Sequence, residues 1–158
     1  MKQSDELGEL LVDFVNRVSH PRGRALTFLI NAGITVDQVI LLNCAQQQPG
    51  STPSALAKMM SLSPSSVSQM LDRLHSLGMV RRTEDPNDRR RKTIDVTVKA
   101  ATFLARFRDV RCEEFLAGTA TLTPATRQAL ASAIKTALDE FGTAEREHPR
   151  QENQENTP

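Results

Sequence analysis

One segment breaks the period of an otherwise helical chain, and it narrows the possible folds more than any other feature. From Met79 to Thr97 apolar and polar residues alternate, as a half-buried strand requires, on either side of Asp85-Pro86-Asn87-Asp88. Proline there suits the first central position of a turn, and the Asp and Asn side chains suit its flanks. The segment reads as a hairpin with strands at 79–83 and 92–97 and with Val80, Ile94 and Val96 on the buried side.

Everything else repeats at helical spacing. Leu7, Leu10, Leu11, Phe14, Val15 and Val18 form one stripe, and Val67, Met70, Leu71, Leu74 and Leu77 form another. Residues 98–117 continue the pattern through Leu104, Phe107 and Phe115, and Leu130, Ile134, Leu138 and Phe141 close it. Thr52-Pro53, Ser63-Pro64 and Thr123-Pro124 each pair a capping hydroxyl with a proline in the first helical turn, and Thr35 to Gln38 has the form of a capping box. Gly33, Gly50, Gly78, Gly118 and Gly142 stand where helices are expected to end. These marks predict helices near 5–19, 24–32, 35–47, 53–60, 64–77, 98–117 and 124–141. The polar tail from Thr143 to Pro158 lacks the apolar residues to fold.

At 158 residues the chain suggests one domain of mostly α class. Its net charge is only +1, but residues 51–99 hold nine Lys or Arg against five acids, so a basic middle sits between neutral or acidic flanks. Cys44 and Cys112 are far apart and form no CxxC, which favours buried, inert thiols in a reducing cytoplasm. His20, His75 and His148 are isolated, so no metal or other cofactor is implied. No apolar run approaches the roughly 20 residues of a membrane span, and nothing at the N-terminus reads as a signal peptide.

A short helix (53–60), the turn Ser61-Leu62-Ser63 and a longer helix (64–77) have the lengths of a helix-turn-helix. Ala57 and Ser61 are small where the helices must approach closely. Leu56, Met60, Leu62, Val67 and Met70 form the apolar inner face, leaving Ser65, Ser68, Gln69, Asp72 and Arg73 outside. With the basic hairpin directly after it, this is the order of a winged helix. The sequence resembles the MarR family of bacterial transcriptional regulators. The family's wing signature, Asp-x-Arg, five residues, then Leu-Thr, is met by Asp88-Arg89-Arg90, Arg91 to Asp95, then Val96-Thr97. Valine replaces the leucine, and Val98-Lys99-Ala100 stands where relatives end in glycine. The resemblance runs over about residues 35–141 and is strongest at 52–97.

The apolar stripes at 5–19, 98–117 and 124–141 exceed what one winged helix needs, so terminal segments 1–34 and 98–142 are expected to pair two copies around the DNA-binding region 35–97, as a homodimer on a pseudo-palindromic duplex. The resemblance implies that Arg90 probes a minor groove with Asp88 orienting it. The residue pattern adds Thr52, Ser63, Ser65, Ser68, Gln69 and Arg73 on the helix-turn-helix, and Arg89, Arg91 and Lys92 as phosphate partners on the wing. All six Phe lie outside the basic module, and neither Trp nor Tyr occurs, so the base stacking that holds single strands has no platform. A small aromatic or phenolic effector is implied between the dimer helices and the winged helix. Its residues are not identified, with Arg17, His20 and Arg24 as nearby cations. A winged helix that binds protein through the same faces is the alternative. Catalytic motifs are missing: the seven glycines stand singly, and no HExxH or GxSxG occurs.

Overall fold

Three hydroxyl side chains set where the central helices begin. In the computed structural model, which describes residues 2–19, 23–84 and 92–147, Thr35 Oγ1 accepts from the Gln38 amide while Gln38 Oε1 accepts from the Thr35 amide at 3.0 Å. This is the expected capping box. Thr52 accepts from the Ala55 amide at 3.2 Å and Ser63 from the Ser66 amide at 3.1 Å, each with a proline following. The elements run α1 (Lys2–Val18), α2 (Arg24–Ala32), α3 (Val36–Gln47), α4 (Pro53–Met60), α5 (Pro64–Ser76), β1 (Val80–Glu84), β2 (Lys92–Val96), α6 (Val98–Gly118) and α7 (Pro124–Glu147).

The chain divides into two compact units, Met1–Gly118 and Thr119–Pro158, where its length had suggested one. In the first, Leu41, Leu42, Leu56, Val67, Leu71, Leu74 and Ile94 are fully enclosed. Leu29 and Ile34 from the N-terminal side and Ala100, Phe103 and Leu104 from α6 join the same core. The expected boundaries at 34 and 97 therefore cut through one packed interior. The rings of Phe28, Phe103 and Phe107 stack across α2 and α6, with centroids 5.2 Å apart for Phe28–Phe103. At the ends of α1 and α6 the two backbones approach closely. A Cβ on Gly118 would stand 2.6 Å from the Val18 carbonyl oxygen, a distance that leaves no room for a side chain.

The hairpin is antiparallel, with Val80 opposite Val96, Arg82 opposite Ile94 and Glu84 opposite Lys92. These pairs share the face on which Val80 and Ile94 are buried and Val96 is half-buried. Ser51 adds a one-residue bridge to the hairpin, accepting from the Ile94 amide at 2.9 Å.

Two expectations at the helix-turn-helix change. Ser61 is exposed, so it does not serve close packing. It is the one non-glycine among the described residues with a positive φ, 53°, and it ends α4 in a left-handed cap. The Leu62 amide then reaches back to the Ala57 carbonyl at 3.0 Å, a turn that sends Leu62 outward to 40% exposure. Ala57, by contrast, is buried as expected.

In the second unit Thr123 caps α7 through the Thr126 amide at 3.2 Å. The helix passes the expected stop at Gly142 and continues to Glu147, because Ala144 to Glu147 are all good helix formers. The rest of the tail, 148–158, lies outside the described residues. Ile134, Leu138 and Phe141 line one side of α7, and all are exposed.

Candidate nucleic-acid interface

The N-terminal half of α5 turns a polar, uncharged surface outward. Val67, Leu71 and Leu74 bury one stripe of the helix. Ser65, Ser68 and Gln69 are all exposed on the others. At the tip, the Ser63 hydroxyl lies 3.0 Å from that of Ser65 and 2.8 Å from that of Ser66, so the cap is a small hydroxyl network. Thr52 caps α4 and is half-buried. Hydroxyls and amides of this size reach base edges, and amides at a helix start reach phosphates.

Asp72 and Arg73 continue this surface but point to different neighbours. Asp72 Oδ1 accepts a hydrogen bond from an Arg82 guanidinium nitrogen at 2.5 Å, which ties α5 to β1. The Arg73 guanidinium lies against the α2–α3 turn, one nitrogen 3.5 Å from where a Cβ on Gly33 would sit. The residue pattern places Arg73 on the DNA-facing surface, whereas the cation that Asp72 holds is Arg82. Strand parity was the available signal: two residues from buried Val80, Arg82 must face α5.

On the wing, Lys92 is exposed and stands directly opposite Glu84. The outward face carries Arg81 across from Asp95, which accepts from the Thr83 hydroxyl at 3.3 Å. Asp88, Arg89, Arg90 and Arg91 lie outside the described residues.

A cavity of about 530 Å³ opens between α3 and α6. Val39, Leu104 and Phe107 give it an apolar lining, Asn43 adds an amide, and Arg108 and Arg111 supply two cations. The Arg111 guanidinium lies over both Phe107 and Phe115, 5.9 and 5.5 Å from the ring centroids. Cys112, expected to be buried, is exposed and lines this cavity, while Cys44 is half-buried. A second cavity of about 410 Å³ holds Arg17 and Arg24, two of the three cations singled out from sequence. Glu113 and Glu114 line it as well, and Arg24 is already paired with Glu113 at 2.9 Å. His20 lies outside the described residues.

The sequence model of the MarR family matches residues 34–92, from the start of α3 to the second wing strand. The winged helix is a MarR-family domain. No curated protein matches the chain by sequence. Among solved structures, a cysteine-to-serine mutant of MarR from E. coli is 26% identical over 84% of this chain and 96% of its own, with a TM-score of 0.65. Transcriptional regulator Tm0710 from Thermotoga maritima shares the fold at a TM-score of 0.71 and 23% identity, covering 94% of this chain and 99% of its own. The S. aureus MepR–DNA complex shares it at 0.60 and 24%, covering 74% and 88%. The mostly helical, two-stranded architecture is that of the MarR winged helix. Among the described residues no three His, Cys, Asp or Glu side chains gather as a metal ion would need, and no single helix is long and apolar enough to cross a membrane.

Proposed function

We propose that this MarR-family chain is a dimeric, sequence-specific repressor that reads duplex DNA and releases it when a small ligand binds. The observation that carries the reading is the exposed Ser65–Ser68–Gln69 surface of α5, on a domain of this family whose sequence places the basic run Arg89 to Lys92 in the hairpin that follows. MepR from S. aureus holds DNA with the same fold. In this reading the α5 surface meets base edges in a major groove, and Arg90 enters the neighbouring minor groove with Asp88 beside it. Arg89, Arg91 and Lys92 then neutralise phosphates.

Dimerisation is supported by unpartnered apolar faces. Leu7, Leu10, Leu11 and Val15 on α1 are each more than half exposed, as are Leu138 and Phe141 on α7. Stripes of this length on long helices are stable in water only when covered. A second copy covers both and sets two α5 helices about one DNA turn apart on a pseudo-palindrome. The cavity between α3 and α6 is the effector site in this reading. Its apolar walls and two arginines suit a small aromatic anion better than the acid-lined cavity at Arg17 and Arg24.

Selection of bound duplexes from a random pool, followed by salt titration of the winner, tests the proposal. A palindromic motif and a steep linear loss of log affinity with log salt are expected. A flat salt response would favour the winged helix as a protein-binding module, and a monomeric mass at micromolar concentration would remove the dimer.

A further inference from the structure

An acid sits on the outermost face of the helix meant to approach a polyanion. Asp72 follows Gln69 by three residues and Ser68 by four, so it belongs to the same surface, and its side chain is 65% exposed. A bare carboxylate there would repel phosphate. It is not bare: it holds Arg82, whose side chain is 32% exposed and lies on the α5-facing side of β1. Exposed ion pairs contribute little to folding. Beneath it, the buried side chains Val67, Leu71, Val80 and Ile94 belong to one core that spans α5 and the wing.

We propose that Asp72 determines specificity by withholding Arg82 from the DNA backbone, an inference that rests on the DNA reading above. A free arginine beside the recognition helix would bind any phosphate within reach. It would therefore strengthen binding to every sequence alike, and competing sites in a genome far outnumber the operator. Paired with Asp72, Arg82 presents no net charge, and discrimination is left to Ser65, Ser68 and Gln69. The neighbouring cation on α5, Arg73, is turned to the Gly33 turn and does not compete for the carboxylate.

The test uses full-length protein, the duplex selected from a random pool, and a scrambled duplex of equal length. Affinities of wild type, Asp72→Asn, Arg82→Gln and the double variant are measured from 50 to 200 mM NaCl. Asp72→Asn frees one cation per protomer, so it should bind the scrambled duplex more tightly and steepen its log–log salt slope by about 0.9 per protomer. Over that range this is an additional loss of roughly three- to fourfold for each freed arginine. The ratio of selected to scrambled affinity should fall. Arg82→Gln should not gain scrambled-duplex affinity, and the double variant should return close to wild type. An Asp72→Asn slope equal to wild type, or weaker binding to both duplexes, overturns the proposal. So does a change confined to one base position, which would make Asp72 a direct reader of cytosine. Wild type that binds neither duplex removes the DNA reading itself.

Discussion

The Thr97 hydroxyl lies 2.8 Å from the Gly78 carbonyl oxygen and 3.1 Å from that of Met79, and it also accepts from the Ala100 amide at 3.3 Å. One side chain thus joins the end of α5, the start of the wing and the start of α6. The Thr97 amide adds a bond to the Met79 carbonyl at 3.0 Å. Lys99 completes the junction by donating to the Leu77 carbonyl at 2.7 Å, a cation at the negative end of α5. This is how the chain passes from the wing into α6 through Val98-Lys99-Ala100, where the resemblance implied a glycine.

Thr97→Val keeps the shape and removes the hydroxyl. It should lower the unfolding free energy by about 1–2 kcal/mol, the sum expected for a lost helix cap and a carbonyl left short of a donor. Thr97→Ser should recover most of that. Urea denaturation of the three proteins decides the matter. Equal midpoints for Val and Thr would mean that the hydroxyl bonds contribute nothing.

Gly118→Ala tests the α1–α6 approach. A Cβ there would lie 2.6 Å from the Val18 carbonyl oxygen and 2.7 Å from its Cα, and both atoms belong to backbone that cannot swing aside. The helices must separate, at a cost of about 1–3 kcal/mol by comparison with overpacked cores. A lower melting temperature is expected. An unchanged or higher one would contradict the packing, since alanine otherwise favours a helix.

These junctions explain what the sequence disclosed and what it hid. Caps were legible because their chemistry is local: Thr35, Thr52, Ser63 and Thr123 each bond an amide three residues on. Stripes and strand parity placed the core positions Val67, Leu71, Val80 and Ile94 for the same reason. Contacts between distant segments were not legible. Strand parity turns Arg82 toward α5, but nothing local announces that Asp72 is what it meets there, or that Glu114 would accept from the Ala25 amide at the start of α2 at 3.2 Å. Gly142 misled because a glycine inside a helix costs only about 1 kcal/mol relative to alanine, and good helix formers follow it. At the interface, the exposure of Ser65, Ser68 and Gln69 was readable from the buried stripe, while Arg73's turn toward Gly33 was not.

The cavity between α3 and α6 makes a chemical prediction of its own. Benzoate, a simple aromatic carboxylate, should bind there through Arg111 and the Phe107 and Phe115 rings. Arg111→Ala should weaken it by about 10- to 100-fold, the range for a hydrogen bond to a charged group. Because exposed Cys112 lines the same space, benzoate should also slow its modification by a maleimide, with little effect on half-buried Cys44. Calorimetry and mass-resolved labelling give the two readouts. Binding that ignores Arg111 and leaves Cys112 unprotected would place the ligand elsewhere.

The two DNA-facing surfaces should fail differently when cut back. Gln69 projects from the first half of α5, where a glutamine amide can pair bidentately with adenine in a major groove. Gln69→Ala should therefore cost about 1–3 kcal/mol against the preferred base and flatten one position per half-site of the selected motif. Arg90 falls between the two wing strands in sequence, and in the proposed reading it probes the adjacent minor groove, where A·T and T·A present the same acceptors. Arg90→Ala should weaken all duplexes, those with A·T-rich flanks most, because a narrow groove concentrates negative potential. It should also flatten the salt slope by about one per wing. Asp88→Ala should give a milder version of the same change, since it leaves the arginine in place but lets it wander. Repeating the random-pool selection with each variant separates these outcomes. Should Arg90→Ala leave both affinity and slope intact in a folded protein, the basic run is solvated surface, and the helix alone must account for binding.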